Sequence, residues 1–141
     1  MRVTLAPSEL STLIYSYSAT FFGSADPLYE IETTSSAFII DTSFFTKFGS
    51  AWTGQAGTFA VGCGSASETG ICVHFDPDGA AGSVELLGPS TQGSVTITAL
   101  GTSYSVTFSG VSFDRPGGGS YLLEPFTLAG SCSASCGPDV P

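Results

Sequence analysis

Carboxylates dominate the residues of this chain that could do chemistry. Glu30 and Glu32 lie two apart in an alternating segment. A strand would set both on one face, roughly 6.5–7 Å apart along the backbone. That spacing approaches the separation of paired acids in glycoside hydrolysis, although alternation with Tyr29 and Ile31 equally describes the solvent face of an edge strand. His74 and Asp76 repeat the two-residue relationship and could pair as base and orienting acid. No Gly-x-Ser-x-Gly elbow accompanies them, so the expectation is a surface histidine at a strand end. Asp76 and Asp78, with Glu85 downstream, are calcium candidates. Their spacing departs from the EF-hand, and Asp76-Pro77-Asp78-Gly79 is by itself a turn sequence. Calcium is therefore the one cofactor left open.

Aromatic residues offer a second kind of chemistry. Trp52, Tyr29 and Tyr121 could stack on a flat ligand such as a glycan, since a ring has an apolar face and a polar edge. The competing expectation for a lone Trp is a core plug.

Phe38-Ile39-Ile40-Asp41-Thr42-Ser43 resembles the apolar-apolar-Asp-Thr-Gly core of aspartic proteases, and Leu86-Leu87-Gly88 resembles their downstream apolar-apolar-Gly element. That resemblance implies a catalytic Asp41 at a loop tip, acting as half of a dyad in a homodimer. Ser43 replaces the glycine and bulky Phe44 and Phe45 follow, so the non-enzymatic expectation stands ahead of an aspartic-type hydrolase centred on Asp41.

The rest of the catalytic toolkit is thin. Arg2, Lys47 and Arg115 are the cations and His74 the imidazole, in 141 residues with a formal charge of −9. A surface so acidic repels nucleic acid and anionic membranes. Apolar residues make up 42% of the chain, which argues for a globular fold. No run approaches the ~18 apolar residues of a membrane span. There is no Asn, hence no N-glycosylation acceptor.

The elements that must position these residues read as strands. Alternation is plain in residues 15–21, where Tyr15, Tyr17, Ala19 and Phe21 share a face, and again in 28–32 and 37–41. Residues 59–63 and 71–75 are expected to form a hairpin around a Gly/Ser-rich loop. Residues 84–87 follow the Asp-Pro-Asp-Gly turn as a short strand. Residues 95–108 form a hairpin closed by Gly101-Thr102, pairing Val95 with Phe108, Ile97 with Val106 and Ala99 with Tyr104. Every apolar residue then takes one face and every hydroxyl the other. Residues 121–128 form the last strand, with Pro125 marking an edge or a bulge.

Cys63, Cys72, Cys132 and Cys136 allow three disulfide connectivities. Cys63–Cys72 and Cys132–Cys136 are favoured, because each closes a short loop. Such bridges imply an oxidising compartment. The expected architecture is one all-β domain over 1–128, an antiparallel β-sandwich ahead of a jelly roll or barrel. A Gly/Ser/Pro-rich tail held by the Cys132–Cys136 loop follows over 129–141.

The layout resembles small exported bacterial proteins that carry a Pro-Glu-Pro C-terminal sorting signal (PEP-CTERM). The matching features are the Tyr-x-Ala-Thr-Phe-x-Gly-like segment at Tyr17, the Phe38 to Ser43 segment, and the closing Asp139-Val140-Pro141. The opening residues carry no apolar leader stretch. The resemblance implies secreted or cell-surface material and no catalytic residues. The functional expectation is a structural or adhesive β-domain whose partners are copies of itself or surface and matrix components. An extracellular filament subunit joined by strand addition and a glycan-binding module are the alternatives.

Overall fold

The computed structural model describes residues 2–3, 14–19, 29–34, 38–45, 52–63, 70–79, 86–132, 136 and 139–141. These form strands β1 (Arg2–Val3), β2 (Ile14–Ala19), β3 (Tyr29–Thr34), β4 (Ile39–Phe45), β5 (Gly57–Ala60) and β6 (Gly62–Cys63). They continue with β7 (Gly70–Asp76), β8 (Ser94–Ala99), β9 (Ser103–Ser109), β10 (Ser112–Asp114), β11 (Ser120–Leu123) and β12 (Phe126–Ser131). Among the described residues no helix is long and apolar enough to cross a membrane.

The strands assemble into sheets ordered β2-β3-β4-β7-β6, β12-β9-β8-β5 and β1-β11-β10. All pairings are antiparallel except β1 with β11. Among the described residues the sheets do not close on themselves, so the fold is a sandwich and not a closed barrel. Period-two patterning builds the core. Ile31, Ile40, Phe44, Ile71, Val73 and Phe75 come from the five-stranded sheet, and Val95, Ile97, Val106, Phe108 and Leu128 from the four-stranded one. Thr33 is fully buried between them, and its hydroxyl donates to the Ile40 carbonyl at 2.9 Å and accepts the Ile40 amide at 3.1 Å. That bridge fixes the register of β3 on β4.

Both favoured disulfides are present, Cys63–Cys72 joining β6 to β7 and Cys132–Cys136 following β12. The expected hairpin of 59–63 with 71–75 shrinks to the two-residue pairing of β6 with β7. β5 instead pairs β8, because the chain changes sheets at Val61, whose buried side chain enters the core while its amide donates to Gly93. The hairpin over 95–108 keeps its expected pairs from Val95 to Ile97. A bulge then sets Ala99 against Ser105 instead of Tyr104. The extra residue turns Leu100 into the core, where it is 1% exposed.

The expected last strand divides at Pro125 into β11 and β12, which lie in different sheets. One register nevertheless runs through both. It pairs Ser112 with Leu122 and Phe108 with Phe126, and the Leu123 and Cys132 amides donate to Val111 and Thr102 in the same alignment. This is a single long hairpin, interrupted where Pro125 has no amide to donate. Of the expected 84–87 strand, residues 84 and 85 lie outside the described residues. Leu87 makes one antiparallel bridge with Phe75.

Candidate functional site, an acidic row on an open sheet face

Among the described residues, the outer face of the five-stranded sheet gathers three carboxylates into one group. On β3, Ile31 and Thr33 are buried, which turns Glu30 and Glu32 outward. On β4, buried Ile40 and Thr42 do the same for Asp41 and Ser43, and on β7 buried Val73 and Phe75 do it for His74. Register then aligns residues that are far apart in sequence. Asp41 stands opposite Glu32 on one side and His74 on the other, while Ser43 stands between Glu30 and Cys72. Ser16 and Ser18 of β2 occupy the positions opposite Glu32 and Glu30.

One carboxylate oxygen from each of Glu30, Glu32 and Asp41 lies within 4.8 Å of the others. Glu30, Glu32, Asp41 and His74 each take part in a hydrogen bond or electrostatic interaction. Oxygen donors so grouped suit a hard divalent cation in kind, though calcium takes six to eight ligands at about 2.3–2.6 Å and three side chains supply only part of that shell. The Glu30–Glu32 approach is also tighter than the gap that an attacking water needs between the acids of an inverting glycosidase. The arrangement can concentrate negative charge and attract cations or basic groups.

The sequence-level candidates fall in several places. Asp41 sits in mid-strand on β4, paired on both sides, and not at the loop tip that the aspartic-protease resemblance requires. Backbone pairing along its whole length leaves β4 no room to present Asp41 as a protruding dyad partner. His74 and Asp76 do share a face of β7, but the residue across from His74 is Asp41.

Asp76 and Asp78 do come together. The Asp78 amide donates to Asp76 Oδ1 at 3.2 Å, the local Asx pattern that such a turn uses without any metal. Burial, first, and then the neighbouring Asp78 carboxyl raise the Asp76 carboxyl above its ordinary value. Glu85, the third calcium candidate, lies outside the described residues.

The stacking platform is corrected most clearly. Trp52 is 2% exposed and Tyr29 6%, so neither ring can meet a glycan face. Trp52 packs edge-on against Tyr29 and Phe44, with ring centroids 6.0 and 5.5 Å away, and its Nε1–H donates to the Gln55 carbonyl at 3.0 Å. Both rings belong to the core cluster, where Tyr29 begins β3 and stands opposite Phe44 of β4. Tyr121 is half-buried, with Phe75 against it at 5.8 Å and the Arg115 guanidinium 5.1 Å above its ring.

The grouping of Glu30 and Glu32 with Asp41 was missed from sequence. The signal that could have found it is the pair of alternating segments on either side of Thr33 to Ser36, read as one hairpin with its register worked out. No protein-family model, curated protein or solved structure matches this chain.

Proposed function

We propose that this chain is a disulfide-stapled β-sandwich that works outside the cell or on its surface, as a structural or adhesive part and not by turning over a substrate. The observation that carries the reading is the pair of bridges, one stapling an edge strand to the sheet and one holding the segment after β12. Bridges of this kind persist where thiols are not kept reduced. The commitment of Trp52 and Tyr29 to the core, and of Asp41 to mid-strand, supports a role played by sheet surfaces. The likeness of the Tyr17 segment to exported bacterial proteins accords with the same location. An acidic face suits contact with cationic groups or cation-bridged matrix components.

Fractionation of the producing cell, with thiol titration of the native protein, tests this. Surface or medium fractions with no reactive thiol are expected. Cytoplasmic protein with four free thiols would overturn the proposal.

A further inference from the structure

We propose that the cleft between residues 86–92 and β10 is a binding site for an uncharged saccharide. This names a partner for the adhesive reading above and rests on it. Among the described residues a cavity of about 330 Å³ opens there. The chain from Leu86 to Gln92 forms one wall, and Ser112, Phe113 and Asp114 form the other. That volume is at the small end of the range for ligand sites.

The first wall is tied down on both sides. Leu87 exchanges backbone hydrogen bonds with Phe75 of β7, and the Ser90 amide donates to the Val73 carbonyl at 2.9 Å. Ser90 is 2% exposed, and its hydroxyl donates to the Ser112 carbonyl at 2.7 Å and accepts the Gln92 amide at 3.3 Å. Gly88 and Gly93 both have positive φ. A side chain there would meet the Val73 carbonyl at 2.9 Å or the Val111 amide at 2.7 Å, so only glycine fits either end of the segment. A wall set in advance loses little freedom when a ligand arrives.

The polar groups lining the cavity select its occupant. Asp114 is exposed, and an ionised carboxylate only accepts. Gln92 is exposed as well, and its Oε1 already accepts from the Ser112 hydroxyl at 3.1 Å, so its amide adds donors. Thr91, also exposed, can do either. A hydroxyl donates and accepts at once, so neighbouring hydroxyls of a sugar ring use Asp114 and Gln92 together. A lysine or arginine side chain carries donors alone and has nothing to offer the Gln92 amide nitrogen. A phosphate or carboxylate is repelled by Asp114 and by the net charge of −9. Leu86 lines the same cavity and is 47% exposed, which gives the C–H face of a ring an apolar patch to lie on.

Amide NMR of the disulfide-intact full chain, titrated with the methyl glycosides of glucose, galactose, mannose and N-acetylglucosamine, tests the site. At least one glycoside should shift the amides of residues 86–92 and 112–114 saturably. Asp114→Ala should weaken that binding roughly tenfold, and Gln92→Ala severalfold, with the remaining spectrum unchanged. Ser131→Ala, on β12 and outside the cavity lining, should bind as the parent does. No saturable shift at these amides with any of the four glycosides overturns the proposal, as do shifts that both cavity variants leave unaltered. Shifts there with lysinamide and not with a glycoside overturn it in favour of a basic peptide side chain. These outcomes leave the fractionation and thiol result standing. Free cytoplasmic thiols, conversely, would sink the surface reading and leave a measured glycoside site intact.

Discussion

Thr102 donates both its amide and its hydroxyl to one oxygen of Asp139, at 2.7 and 2.6 Å. Two further backbone bonds, from Val140 to Leu100 and from Ala56 to the Pro141 carbonyl, seat the tail along the β8–β9 turn and the start of β5. The hydrogen bonds from Thr102 hold the Asp139 carboxyl below its ordinary value. A depressed acid stabilises the fold above its ordinary value of about 4 and loses that contribution as pH falls through the folded value. The Thr102 amide resonance should therefore titrate only below about pH 4. In Asp139→Asn it should already be shifted at neutral pH and show no such titration. NMR over a pH series checks both.

Asp76 should behave in the opposite sense. Its raised carboxyl, with burial the larger cause and Asp78 the next, disfavours the charged form in the fold. The cost is present at neutral pH and disappears as pH falls through the raised value toward the ordinary one. Asp76→Asn keeps an acceptor for the Asp78 amide and removes the charge. Its urea midpoint should exceed that of the parent at pH 7, and the two should converge below about pH 4.

Much of this architecture was legible from residue alternation. The inward and outward residues of β8 as far as Ile97 and of β9, together with the all-β class, follow from spacing, and closure of short loops favoured the disulfide pairing that the structure shows. What alternation cannot supply is where a strand leaves one sheet for another. Val61 and Pro125 mark two such departures, and only Pro125 carries a local signal, its missing amide. The bulge beside Thr98 was hidden for a related reason, since burial of Leu100 outweighed a two-residue turn. The acidic row needed three strands in register. Glu30, Glu32, Asp41 and His74 were each visible as single residues, but their grouping is a property of pairings between β3, β4 and β7.

Trp52 supports stability and not ligand contact. Trp52→Ala should cost about 3–5 kcal/mol, the range for deleting a buried aromatic. Trp52→Phe should retain most of that and lose mainly the bond to Gln55. Chemical denaturation monitored by circular dichroism measures both.

The bridge between Cys63 and Cys72 closes a loop of sequence separation 9. Replacing both residues with Ser should lower stability by about 2–4 kcal/mol. The loss should match the drop seen when the parent is unfolded under reducing conditions, after allowance for the Cys132–Cys136 bridge.

Like charges so close on neighbouring strands oppose folding. Asp41→Asn should therefore raise the unfolding midpoint at low ionic strength, by roughly 0.2–1 kcal/mol. The gain should shrink as salt screens the row. A loss of stability that is independent of salt would show that the Asp41 contacts outweigh the repulsion.

The hairpin that crosses from one sheet to the other at Pro125 ends in the loop from Arg115 to Gly119. There Gly117 and Gly118 have, beyond their immediate chain neighbours, no heavy atom within 4 Å of where a side chain would start. The same two strands that lace the layers together thus carry their turn clear of the body. Foreign sequence grafted at Gly117 and Gly118 would ride on a hairpin shared by two sheets, at a tip whose glycines are open on their side-chain side, which makes the loop a natural point for display.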